Sequence, residues 1–174
     1  MANQHHLDLL KQLGEEAWNQ WRQEHHEIQP DFSGADLKGI ALRRFDLSRA
    51  HLREADLRDA DLMEALITQA DLSGANLAGA NLNNADCNGT IFRAAVLSSV
   101  DLRFAFLIKA DLRDADLQRA TLTGADLSGA TLHGANFAHA DLSAVDLSKA
   151  NTQGARFGDA YFFRHQHERE KTGE

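Results

Sequence analysis

The stretch Ala55-Asp56-Leu57-Arg58-Asp59-Ala60-Asp61-Leu62 sets a rule that the chain keeps from residue 32 to residue 162: every fifth position is apolar. Twenty-seven such marks follow without a slip; nineteen are Leu, seven are Phe, Ile or Cys, and only Thr152 is polar. Ala stands two residues before the mark in 21 of the 27 units, as in Ala125-Asp126-Leu127. A period of five suits neither regular element. On an α-helix, at about 100° per residue, five steps rotate the stripe by about 140°, so Leu57, Leu62 and Ile67 would spiral around the axis. On a continuous strand, side chains alternate faces, and an odd step sets successive marks on opposite sides.

The chain must therefore turn the same way within every five residues. Each unit is a short extended piece with Ala and Leu on its inner face, followed by a bend. Repetition winds the backbone into a coil whose turns stack at about 4.8 Å, and stacking supplies the core that no single unit can bury. Gly follows the mark by two at nine positions, among them Gly34, Gly89 and Gly134, where a tight bend meets no Cβ clash. Asp or Asn precedes the mark in 17 units, and such side chains bond nearby backbone at turns. The one proline, Pro30, stands at the entrance and leaves the ladder of N–H donors intact. The period alone leaves open whether a coil closes after 15 residues or after 20.

The motif A(D/N)LXX over roughly residues 30–164 resembles the pentapeptide-repeat family. That resemblance implies an all-β solenoid, a right-handed quadrilateral β-helix with four units per coil. It would have about seven coils and stand about 32 Å tall at the strand spacing. It also implies a non-catalytic scaffold that meets another protein, since most members carry no assigned activity and one related group acts in cyanobacterial differentiation through protein contacts. The alternative it offers is a DNA mimic that binds DNA gyrase, as the quinolone-protection branch does. Acidic charge agrees with that branch, but its projecting loops and C-terminal dimer module have no counterpart here, and arginines interrupt the acidic face.

Both ends depart from the period. Residues 1–29 read as a helical cap, with Leu7, Leu10, Leu13 or Gly14, Ala17, Trp18 and Trp21 recurring at three- and four-residue steps. Gly14 divides the segment, and Glu15 and Glu16 suit the first turn of a second helix. Leu7, Leu10, Trp18 and Trp21 would cover the open lower coil and hide its edge. The stretch Trp18-Asn19-Gln20-Trp21-Arg22 is similar to the helical start of cyanobacterial pentapeptide-repeat proteins. The repeat region spans 30–164 and ends in Phe157, Tyr161, Phe162 and Phe163, read as a C-terminal plug through which two copies could meet end to end. The polar residues 165–174 read as a disordered tail.

Composition narrows the function. The formal net charge of −8 divides as −3 in the leading segment, −4 in the repeats and −1 in the tail, so no basic excess calls for direct nucleic-acid binding. The acidic leading segment argues against an anionic membrane surface, and no apolar run or leader pattern indicates a spanning or exported form, which points to cytoplasmic residence. Cys87, the single cysteine, occupies an inward mark and reads as an inert buried thiol. His5-His6, His25-His26 and the tail pair have no metal-ligand spacing, no nucleophile–base set stands out, and no interruption is long enough to build a cleft. No cofactor, metal site or catalysis is expected.

Deviations from the motif carry the remaining information. Four units place large apolar groups before the mark: Leu66, Ile91, Val96 and Phe106. With 20 residues per coil, Leu66 and Phe106 share a column with Asp86 between them, and Met63, Phe104 and Ile108 lie beside it. Together these form a candidate protein-contact patch. In the same frame Arg53, Arg93, Arg113 and His133 form a candidate basic column, interrupted by Ser73 and partly neutralised by the neighbouring Glu54 and Asp114.

Overall fold

Helix forms where the period is absent. In the computed structural model, which describes residues 2–163, α1 spans Gln4–Gln12 and α2 spans Glu15–Glu24. The tail expected to be disordered lies outside the described residues. Asn3 caps α1, its side chain accepting the His6 N–H at 3.2 Å, and Gly14 takes the N-cap of α2 ahead of Glu15 and Glu16. Leu10 and Trp18 are buried, and Leu7, Leu13 and Trp21 pack partly buried against the core. The sequence reading errs at Ala17, which is exposed, while Arg22 is buried. The inward face of α2 is centred on Trp18 and Arg22, four residues apart, and Ala17 lies about 100° round the helix.

From residue 31 onward the backbone stacks as a ladder. Among the described residues twenty-two bridges, all parallel and all between residues i and i+20, join successive coils, from Asp31–His51 to Asp141–Tyr161. Four units thus make one coil, and the 15-residue alternative is excluded. Extended structure is confined to single bridge residues, because the chain turns again before a longer strand can form. Four sides result. Bridge positions 31, 51, 71, 91, 111, 131 and 151 lie on side one; 36 to 156 on side two; 41 to 161 on side three; and 46, 66, 86, 106 and 126 on side four. The bridge that Asp126 and Asp146 would make is missing; there the Gly129 N–H donates to the Lys149 carbonyl at 3.0 Å.

Mark residues from Leu37 to Leu142 are at most 2% exposed, and the Ala column beside them is nearly as dry. Each buried Leu contributes about 1.5–3 kcal/mol. Thr90 takes the place of Ala without penalty because its hydroxyl donates to the Ile67 carbonyl at 2.6 Å. Cys87 is wholly buried, and burial pushes its thiol pKa up.

Two devices make the corner. All 17 Asp and Asn residues before the mark accept, through their side chains, the backbone N–H two residues on, as Ser33 N–H donates to Asp31 Oδ1 at 2.9 Å. The second residue after the mark adopts left-handed backbone, at nine glycines and at sixteen other residues, including Ala94 at φ 52° and Phe104 at φ 57°. Glycine suits the corner but is not required, since ladder bonds on both sides hold the strained conformation.

Candidate protein-contact surface

Side four carries the column Asp46, Leu66, Asp86, Phe106, Asp126, fixed rung by rung. The Leu66 N–H donates to the Phe45 carbonyl at 3.0 Å and its carbonyl accepts from Leu47 at 2.7 Å, so its side chain has only the outward direction left. Leu66 is 44% exposed and Phe106 is 50% exposed, two rungs and therefore about 10 Å apart. Asp86 lies between them and accepts from the Asn88 N–H. Phe104, 53% exposed, reaches the same area from the preceding corner. Its ring lies over Gly124, where a Cβ would come within 2.8 Å of Phe104 Cδ1 and Cε1. Gly124 is therefore what gives the ring its place. Met63 and Ile108 are half-buried at the margins, and the Ile108 N–H is held by Asn88 Oδ1 at 2.9 Å. Ile91 and Val96 are half-buried on sides one and two, away from this group.

The basic column runs beside side one. Arg53 Nη1 lies 3.3 Å from Asp71 Oδ2, Arg93 Nε 2.6 Å from Asp111 Oδ2, and Arg113 holds the same Asp111 through Nε at 2.8 Å and Nη2 at 2.6 Å. The neutralising acids differ from those expected. Asp71 and Asp111 stand on the bridge column within reach of the arginines, whereas Glu54 and Asp114 extend over the next coil, against Gly74 and Gly134. His133 reaches over Gly154 in the same fashion. Where Ser73 interrupts the column, a shallow depression of about 420 Å³ opens between Arg53 and Arg93.

The lower end of the rod is closed by side chains that substitute for a missing coil. Trp18 packs on Phe32 and Phe45 at ring separations of 6.1 and 6.3 Å, and on Trp21 at 5.2 Å. Arg22 donates to the carbonyls of Ile28 at 2.7 Å and Ser48 at 2.9 Å, and burial lowers its pKa. His6 and His25 are recruited as well. His6 Nδ1 accepts from the Asp31 N–H at 3.1 Å, with burial lowering its pKa, and His25 stacks on Trp21 at 5.0 Å. The capping roles of Arg22 and His6 were missed from sequence because both are polar residues spent on backbone groups of the first coil, and no motif marks that use. At the upper end Phe157 stacks on Phe137 at 5.2 Å and Tyr161 on Phe163 at 6.5 Å. Tyr161, Phe162 and Phe163 remain 57%, 50% and 49% exposed. Among the described residues no cluster of three or more His, Cys, Asp or Glu is placed to hold a metal ion, and no helix is long and apolar enough to cross a membrane.

Comparison with known proteins follows the ladder. The family of pentapeptide repeats, in 8 copies, matches overlapping segments from residues 31–69 to residues 140–164. Among solved structures the chain is similar to HetL, a pentapeptide repeat protein involved in heterocyst differentiation regulation from the cyanobacterium Nostoc sp. strain PCC 7120. Identity is 31%, with 76% of each chain covered and a TM-score of 0.37. A pentapeptide repeat protein of the Arabidopsis thaliana thylakoid lumen is 30% identical over 67% of this chain and 68% of its own, with a TM-score of 0.38. Full-length QnrB1, a plasmid-mediated fluoroquinolone resistance protein, is 23% identical over 78% of this chain and 81% of its own, with a TM-score of 0.37. No curated protein sequence matches. With the family matched in overlapping segments along nearly the whole ladder, from residue 31 to residue 164, this chain belongs to the pentapeptide-repeat family.

Proposed function

We propose that the chain is a non-catalytic interaction scaffold, a right-handed quadrilateral β-helix of about seven coils that docks a partner protein on side four. The observation that carries this reading is the exposure of Leu66, Phe104 and Phe106 together on one side of the rod. Elsewhere along the rod, bridge positions hold mainly Asp, Asn and Thr. Large apolar groups held outward by a ladder cost solubility and are retained where a partner covers them. The rod supports a scaffold role because each coil fixes its outward side chains at constant spacing, so the contact surface is preorganised.

The gyrase-binding alternative needs a continuous acidic face. Here Arg58 pairs with Asp56, Arg103 with Asp101, and Arg93 and Arg113 with Asp111, which favours the scaffold reading. The test is affinity capture from the source cells with wild type and a Leu66→Asp, Phe106→Asp double variant of matched thermal stability. A partner retained by wild type and lost by the variant supports the reading; equal recovery of every partner excludes it.

A further inference from the structure

Caps at the lower end of the rod treat the four sides of the first coil unequally. On side one, the Asp31 N–H donates to His6 Nδ1 at 3.1 Å and its carbonyl accepts from the Asn3 N–H at 2.9 Å. On side four, the Asp46 N–H donates to Asn19 Oδ1 at 2.8 Å and its carbonyl accepts from Trp18 Nε1 at 2.9 Å. The equivalent groups on sides two and three are the N–H and carbonyl of Asp36 and of Ala41. None of these four has a protein hydrogen bond among the described residues, and both residues are exposed. On every later rung of sides two and three the same groups are paired, as Asp56 donates to the Ala35 carbonyl at 2.9 Å and accepts from the Leu37 N–H at 2.8 Å.

A groove of about 500 Å³ runs along this unpaired edge. Leu10 and Leu13 of the cap region form one wall, Leu37, Ile40 and Phe45 the other, and Lys11 and Lys38 stand at the rim. Ile40 is the informative member. The position it occupies, two before the mark, holds Ala in 21 of the 27 units, and in the later coils of its own side that position is closed by the coil beneath. Here that position carries a larger apolar side chain, only partly buried against the core, which lines the groove together with Leu10 and Leu13. Phe45, the other enlarged member of this coil, is buried beneath Trp18.

From these two independent features, unpaired ladder groups and an enlarged apolar wall, we infer that the edge formed by Asp36 and Ala41 is a docking site for an extended peptide segment of a partner protein. The segment adds one parallel rung beneath sides two and three and places an apolar side chain in the groove against Ile40. Unpaired edge groups template strand addition, and alternate side-chain pockets then select the sequence. Parallel addition follows from the ladder, which offers donors and acceptors in the spacing that each existing coil already uses. The site is separate from the Leu66–Phe106 patch and stands or falls independently of it.

The test uses the full chain and a labelled ten-residue peptide containing two copies of Ala-Asp-Leu-Ser-Gly, the unit found at residues 70–74 and 125–129. Saturable binding is expected, with shifts of the Asp36 and Ala41 amide resonances. The same peptide N-methylated at both Leu nitrogens loses the donors to the Asp36 and Ala41 carbonyls and should bind about tenfold more weakly. Ile40→Ala, which restores the residue usual for the column and so preserves folding, should weaken binding severalfold. Equal affinity of the two peptides, resonance shifts confined to the Leu66–Phe106 side, or no saturation at millimolar peptide each overturns the inference.

Discussion

The indole Nε1–H of Trp18 donates to the carbonyl oxygen of Asp46 at 2.9 Å, so one side chain both fills the end of the core and satisfies an edge acceptor. The two contributions separate by substitution. Trp18→Phe keeps most of the packing and removes the donor, costing about 1–3 kcal/mol; Trp18→Ala removes both and should cost about 3–5 kcal/mol or more. Urea midpoints measure the difference, and equal losses for the two variants would contradict this division of roles.

Ala94 occupies a left-handed corner at φ 52° that glycine fills in nine other units. Left-handed backbone costs a residue with a Cβ about 1–2 kcal/mol, part of which glycine returns as extra freedom of the unfolded chain. Ala94→Gly is expected to raise stability by about 0.5–1 kcal/mol, read as a higher urea midpoint at unchanged slope.

Gly124→Ala should be costly for two reasons, left-handed backbone at φ 69° and the Phe104 ring 2.8 Å from the new Cβ. A loss of about 1–3 kcal/mol is expected. In a Phe104→Ala background only the backbone cost remains, so the loss there should be smaller. Identical losses in both backgrounds would show that the ring moves aside freely.

Acid should loosen the corners. The hydrogen bond from Arg58 holds the Asp56 carboxyl at about 2, and hydrogen bonds from Ser128 lower that of Asp126. Both folded values lie below the unfolded value of about 3.9. Their stabilisation is therefore fully present above that value and is lost as pH falls through the folded values. Melting temperature should be flat from neutral pH to about 5 and fall between about pH 4 and 2. Asp126→Asn, which keeps a turn acceptor without the charge, should make the acid loss shallower.

Much of the fold was legible because a five-residue period admits so few backbones. Leu57, Leu62 and Ile67 cannot share one face of a helix or a strand, so the bend followed from their spacing alone. The number of units per coil did not follow, since closure after three or four corners leaves the period unchanged; the i+20 bridges decide it. Asp and Asn announced the turn caps through their position before the mark. The left-handed corner was legible only where glycine occupies it, because Ala94 and Phe104 carry no such signal and are held there by the ladder. At the candidate site the column shared by Leu66 and Phe106 followed from the 20-residue frame. The choice of Asp71 and Asp111 as arginine partners depends on side-chain reach, and the use of Arg22 as a cap depends on which carbonyls the first coil leaves open.

The uniform step of twenty residues between bonded partners has a consequence for how the molecule is built. Every coil closes a loop of the same size onto a template already made, so each addition meets the same entropic cost and depends on no distant part of the chain. The template at the bottom is supplied by α1 and α2, which precede the repeats in the chain. Assembly can thus proceed vectorially during synthesis, and duplication or loss of a twenty-residue block within the interior changes the height of the rod while leaving both termini correctly dressed.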